Sequence, residues 1–353
     1  MTRSVSTDTR QPPLTFVLRP IPPFRLDLTV WALRRRSRNI IDRWDGITYR
    51  RVIVVGGRPA ELAVRQIVSS SAPRLIVTAT PPPRTLLEKR RLRSIVERLL
   101  GLRIDLTDWY HMAADDARLR PLADRFVGMK PPRFPTVFEA VVNAIACQQL
   151  SLEVGLELLN RLATITHAKS RTAGDARHAF FAFPGERDLA RLPPEQYRAI
   201  GFSHQKARAL LELAHAITRG ELDLEILEQK DDGLVRQRLL ELRGVGRWTA
   251  EYVLLRGFGR LHVFPGDDVG AQRRLARWLG RSRPLNYAGV IAALERWQPY
   301  AGLVYFHLLL DGLSQAGVLE SRRGTGVDAD GGFVSRTRLQ NRTGAASRRT
   351  RVS

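Results

Sequence analysis

The chain has 353 residues, enough for two or three domains at about 150 residues each; with 44% hydrophobic and 26% charged residues it is not a wholly disordered chain. No apolar run approaches the length of a membrane span, and the best, around Phe138–Cys147, is broken by Glu139 and Asn143. Lys and Arg total 57 against 35 Asp and Glu, a net charge of +22 with only five lysines, which favours a polyanionic partner such as nucleic acid; codon bias alone also enriches arginine.

The N-terminus, MTRSVSTDTRQPP, lacks the apolar region of a secretory signal, so the expected compartment is the cytoplasm. Residues 1–13 read as a flexible start. From residue 14 to about 130 the pattern is that of a small α+β domain. Short β-like runs are expected at Leu14–Arg19, Arg25–Leu33, Thr48–Val55 and Arg74–Thr80, punctuated by Pro22-Pro23, Gly56-Gly57 and Pro81–Pro83. A helix follows over Arg84–Leu100, where apolar residues recur at three- and four-residue spacing.

Residues 131–320 read as an all-α, two-lobed domain. Thr136 is the expected start of a helix running through at least Leu150, with Pro135 just before it. Further helices are expected at Pro194–Ile200, Gln205–Thr218, Gly233–Leu242, Arg247–Leu255, Val269–Leu279, Tyr287–Trp297 and Tyr300–Leu313. Residues 321–353 hold eight Arg and two Asp with almost no apolar content, and read as a disordered basic tail. The lone Cys147 cannot form an internal disulfide or a four-thiolate metal site; in an apolar helical run it reads as a buried structural thiol.

The stretch Leu242-Arg243-Gly244-Val245-Gly246-Arg247-Trp248-Thr249-Ala250 carries most of the chemistry. One helix ends, two glycines flank one apolar residue, and another helix starts at once. Gly244 and Gly246 allow positive φ and close backbone approach, and Val245 packs between the helices. Amides of such a turn, beside a positive helix N-terminus, can hold a phosphate oxygen without any side chain, hence without regard to base sequence. About 20 residues on comes Val263-Phe264-Pro265-Gly266-Asp267-Asp268, directly before the helix at Val269.

This order of hairpin, apolar helix, short loop and aspartate at a helix start resembles the helix–hairpin–helix DNA glycosylase superfamily, and within it the DNA-3-methyladenine glycosylase II family. Phe138–Ile145 with Gln148-Gln149-Leu150-Ser151 is similar to the family's first core helix and its minor-groove wedge. Glu295–Tyr300 with His307 resembles its closing helices, and Pro22-Pro23-Phe24-Arg25-Leu26 its β-rich first domain. The likeness runs from about Leu14 to Gly317.

The resemblance implies that Asp268 is the catalytic carboxylate, although an aspartate there also suits an N-cap; Asp267 would then be a structural partner or the cap itself. A carboxylate near the anomeric carbon can stabilise an oxocarbenium-like state or orient water. Bifunctional members carry a lysine where this chain has Trp248, so the resemblance implies a monofunctional enzyme with no lyase step. Trp248 and Tyr252, four apart on one helix face, resemble aromatic base-pocket residues whose electron-rich faces attract a flipped cationic base. Gly244, Val245 and Gly246 would hold DNA, Gln149 or Leu150 would fill the gap in the stack, and Lys206 would lie near phosphate. Two positions depart from the pattern: Leu309 replaces a second pocket aromatic, and Gln149 stands where some relatives have an apolar wedge. His307 reads as a core histidine.

The implied function is hydrolysis of the N-glycosidic bond of alkylated bases, 3-methyladenine and 7-methylguanine, in double-stranded DNA, by a monomer needing no cofactor or metal. Two alternatives stay open: a glycosylase for neutral lesions (hypoxanthine, uracil or an oxidised purine), and a non-catalytic protein that only binds damaged DNA.

Overall fold

The computed structural model describes residues 12–168 and 181–319; residues 1–11 and the expected tail over 321–353 lie outside them. The N-terminal part builds one antiparallel sheet from β1 (Leu14–Leu18), β2 (Arg43–Trp44), β3 (Thr48–Val55), β4 (Arg58–Gln66) and β5 (Leu75–Thr80), in the order β1-β5-β4-β3-β2. Strand β4 was not among the expected runs. Its Pro59, beside the β3–β4 turn, and its charged residues weaken the strand signal, yet Ala60, Leu62 and Val64 alternate inward.

The expected strand Arg25–Leu33 is instead a helix, α1 (Leu26–Arg34). Leu26, Leu28 and Val30 alternate as in a strand, but almost the whole segment is buried, so period two carries no information about its faces. Leu26, Val30 and Leu33 pack into the sheet's core, while Leu28 and Ala32 pack into a helical core on the other side. The helix lies between two cores, which a half-buried strand could not serve.

Helix α2 (Leu86–Leu99) starts with a Thr85/Glu88 capping box and lays Leu92, Val96 and Leu99 against the sheet's core. The chain is then helical: α3 (Thr107–Asp115), α4 (Leu119–Arg125), α5 (Val137–Cys147), α6 (Leu152–Ala168), α7 (Glu186–Ala190), α8 (Pro194–Ala199), α9 (His204–Thr218), α10 (Asp232–Leu240), α11 (Arg247–Arg256), α12 (Val269–Trp278), α13 (Tyr287–Leu294) and α14 (Ala301–Gln315). The α+β reading holds, with a small sheet followed by a helical core.

The helical part has two apolar clusters. One gathers α5–α11; the other gathers α12–α14 with α3, α4 and one side of α1. Helix α11 belongs to both, sending Ala250, Val253 and Leu254 into the first and Leu255 into the second. The N-terminal sheet is tied to α5 by a buried ionic cluster. Arg51 on β3 donates to Glu139 on α5 at 2.5 Å and to Asp42 at 2.7 Å, and Tyr49 donates to Asp42 at 2.7 Å. Burial pushes the Glu139 carboxyl up while Arg51 pulls it down. No helix among the described residues is long and apolar enough to cross a membrane.

Candidate active site

Helix α5 stops at Cys147, three residues before the expected Leu150. Gln148 leaves helical geometry at φ −55°, ψ 135°, and Gln149 is left-handed at φ +54°. The run is apolar enough to continue; a tertiary contact ends it. Lys206, at the start of α9, donates its ammonium to the carbonyls of Ala146 at 3.0 Å and Gln148 at 2.7 Å. It thus caps α5, and burial holds its pKa below the usual lysine value. The Gln148 side-chain amide donates to the Gly244 carbonyl at 2.6 Å and the Thr249 hydroxyl at 2.7 Å. The expected wedge turn is therefore fastened to the hairpin, with Gln149 exposed and Leu150 42% exposed at its tip. Cys147 is only half-buried, its sulfur against the Cα side of Gly155 on α6, and its surroundings push the thiol pKa up.

The hairpin lies between α10 and α11. Val245 is buried in the first helical cluster, and its N–H donates to Leu242 at 3.1 Å. Gly244 has φ +76°, and a Cβ there would lie 3.0 Å from the Ala209 methyl on α9. Gly246 is extended and faces open space, so its glycine is not sterically required. No side chain caps the first turn of α11, and both glycines are exposed. Arg247, the first residue of α11, pairs with Asp267 at 2.6 Å and stacks over the Tyr287 ring at 3.8 Å.

Asp268 is the N-cap of α12, a position expected to fall to Asp267 if Asp268 were catalytic. Its Oδ1 accepts the Ala271 N–H at 2.8 Å and its Oδ2 accepts the Tyr305 hydroxyl at 3.1 Å. Capping spends one oxygen and orients the other. Tyr305 is buried on α14, and burial reinforced by the Asp268 charge holds its hydroxyl well above its ordinary pKa, so it remains a donor. Asp267 instead serves Arg247.

Trp248 and Tyr252 stack on one face of α11 with ring centroids 5.5 Å apart at 31°. Behind Tyr252 stand residues that motif reading missed. Arg35, 4% exposed, is the left-handed residue that ends α1 at φ +62°. It donates to the Tyr252 hydroxyl at 2.8 Å and to the Asn143 carbonyl at 2.9 Å. Arg256 lies 5.8 Å from the Tyr252 ring and donates to backbone carbonyls of Ala32 and Leu33. In sequence Arg35 sits in an Arg34–Arg36 run that resembles a solvated face; the one local hint was Asn143 breaking an apolar helix. Burial raises the Tyr252 pKa against the pull of both arginines, and Asp268 adds to the rise. Leu309 and His307 are buried core residues of α14. The His307 Nδ1–H donates to the Leu303 carbonyl at 2.8 Å, and burial lowers its pKa to about 4. Among the described residues, no group of three or more His, Cys, Asp or Glu side chains is placed to hold a metal ion.

The model of the HhH-GPD superfamily of base excision DNA repair proteins matches residues 142–299, a span that includes the hairpin, both aromatics and Asp268. A "DNA-3-methyladenine glycosylase" of Bacillus subtilis (strain 168) is 27% identical over 58% of this chain and 66% of its own length. "DNA-3-methyladenine glycosylase 2" of Escherichia coli (strain K12) is 29% identical over 51% of this chain and 60% of its own length. The chain thus spans a little under two thirds of the length of these two curated relatives. A solved "3-methyladenine dna-glycosylase from Archaeoglobus fulgidus" superposes with a TM-score of 0.71 at 25% identity, covering 84% of this chain and 97% of that one. The hairpin, the capping aspartate and the order of helices agree with these matches: over residues 142–299 the chain is similar to the HhH-GPD superfamily of base excision DNA repair proteins.

Proposed function

We propose that the protein is a monofunctional DNA glycosylase that releases alkylated bases, 3-methyladenine foremost and 7-methylguanine, from double-stranded DNA. The observation that carries this reading is the Asp268 carboxylate. One of its oxygens is fixed by a backbone amide and the other by Tyr305, on a loop joined to the hairpin through Arg247 and Asp267.

Amides at the start of α11 would hold a backbone phosphate while the Gln149–Leu150 tip fills the gap left by a flipped nucleotide. Trp248 and Tyr252 would stack on the base, and Asp268 would face the sugar. An alkylated purine carries positive charge, so it departs as a neutral base with the bonding pair, leaving an oxocarbenium ion that Asp268 stabilises. Water adds to that carbon and gives up one proton, to Asp268 or solvent, leaving an abasic site. Trp248 offers no amine, so no Schiff base forms there and the strand stays intact.

One observation favours a second reading, release of a neutral base. Arg35 and Arg256 place two buried guanidiniums against Tyr252, and among the described residues no carboxylate is bonded to either. Their charge opposes a cationic base. The Tyr252 oxygen accepts from Arg35, which leaves its proton to donate to a departing neutral base.

Release of free bases from methylated duplex DNA, by wild type and by Asp268→Asn, tests the first reading. It expects 3-methyladenine from the wild type, almost none from the variant, and strand breaks only after alkali. Hypoxanthine released faster than 7-methylguanine from matched duplexes selects the second reading. Retarded damaged DNA with no base released by either protein leaves a binding protein.

A further inference from the structure

We infer that Glu251 is a positioning residue for the reaction, clamping the loop that presents Asp268; the inference rests on the glycosylase reading above. Glu251 is 2% exposed and lies on α11 between Trp248 and Tyr252 in sequence. Its Oε2 accepts the Gly266 N–H at 2.9 Å. Its Oε1 accepts the Tyr287 hydroxyl at 2.7 Å and the Arg236 guanidinium at 3.2 Å.

Gly266 is held on three sides. Glu251 takes its N–H, Gln272 donates to its carbonyl at 2.7 Å, and a Cβ would lie 2.7 Å from the Tyr287 ring. The Asp268 N–H then donates back to Pro265 at 3.0 Å, closing a turn. The orientation of Asp268 therefore follows from where Gly266 is pinned, and Gly266 is pinned to α11, the helix that begins at the hairpin. Tyr287 adds a second link, because the ring that fixes Glu251 also carries Arg247, whose other partner is Asp267.

One buried carboxylate thus keeps the distance between phosphate grip, aromatic face and Asp268 constant. No polar group of Glu251 is left for substrate, since both oxygens are occupied. Its effect reaches the chemistry through backbone geometry, where a displacement of about 1 Å can cost about 100-fold in rate.

The test measures single-turnover base release from a 7-methylguanine duplex and affinity for a duplex bearing a tetrahydrofuran abasic analogue, with the full chain. Glu251→Leu removes both acceptors and is expected to slow release about 100-fold while affinity stays within about threefold. Glu251→Gln keeps one acceptor and is expected to recover to within about tenfold of wild type. A folded Glu251→Leu that releases base at nearly the wild-type rate overturns the inference, as does a parallel loss of rate and affinity. Should that variant not fold, Tyr287→Phe decides: several-fold slower release at unchanged affinity supports the clamp, and an unchanged rate overturns it. Amide hydrogen exchange reads the same clamp without substrate, and unaltered protection of Gly266 in Glu251→Leu or Tyr287→Phe also refutes it. Asp268→Asn run alongside separates the two claims. If it keeps full activity the glycosylase mechanism fails, whereas if it is inactive beside a fully active Glu251→Leu only the clamp fails.

Discussion

Two groups of buried arginines join the N-terminal part of the chain to the helical core, and they are built differently. Arg51 is neutralised by Glu139 and Asp42, with Tyr49 completing the set. Among the described residues, Arg35 and Arg256 have hydrogen bonds only to a phenol, an amide and backbone carbonyls. The first group has what a structural tie requires, since a buried charge is tolerated when paired. The second retains its positive field beside Tyr252. The contrast separates a tie neutralised by carboxylates from one that sets two guanidiniums against a tyrosine.

Removing a partner should cost most in the neutralised group. Arg51→Met leaves two buried carboxylates unpaired and is expected to lower stability by about 3–5 kcal/mol, read by denaturant titration. A loss below about 1 kcal/mol would mean that the cluster is not holding the sheet to α5.

Acid should find a third buried group, one with a single hydrogen bond. His307 titrates near its ordinary 6.5 in the unfolded chain and at about 4 in the folded one. The unfolded chain therefore binds more protons between those values. Stability is fully present above pH 6.5 and falls as the pH drops toward about 4, by about 3 kcal/mol in all. His307→Met should flatten the dependence of Tm on pH across that window; an unchanged slope would assign it to other groups.

Arg35→Met sharpens the comparison directly. It should cost about 1–2 kcal/mol of stability, less than Arg51→Met, because neutral partners are released in place of charges. Its distinct effect is on preference. Release of 7-methylguanine relative to hypoxanthine should rise on the order of tenfold, the scale of one nearby charge at an effective dielectric of about 20. A preference that does not move would show that the guanidinium field is not felt by the base.

The smallest effect is expected in the hairpin. Gly244→Ala meets both a left-handed backbone and the Ala209 methyl, and should cost about 1 kcal/mol together with affinity for duplex DNA. Gly246→Ala, in extended backbone facing open space, should be nearly silent in stability.

The features legible in the sequence share one property: they are made by residues near each other along the chain. The hairpin needs Gly244 and Val245 within two adjoining helices, Trp248 and Tyr252 meet because they are four apart, and Asp268 caps the helix that follows it. The errors fall where distant segments decide. The alternation at Leu26, Leu28 and Val30 became a helix because two cores cover it, and α5 ended early because Lys206, far along the chain, takes its last carbonyls. Asp267 pairs with Arg247, 20 residues back, a partner that local reading does not reveal.

By itself the sequence determined the α+β order, the hairpin, the aspartate at a helix start and the aromatic pair, all set by backbone freedom and short-range periodicity. Only the tertiary structure decided which charges are buried. Arg35 meets a tyrosine 217 positions away, and Arg51 meets a glutamate 88 positions away. A charged side chain looks the same in sequence whether water or another segment surrounds it, and that covering, made when the sheet, α1 and α5 pack together, separates a solvated arginine from one bonded to Tyr252.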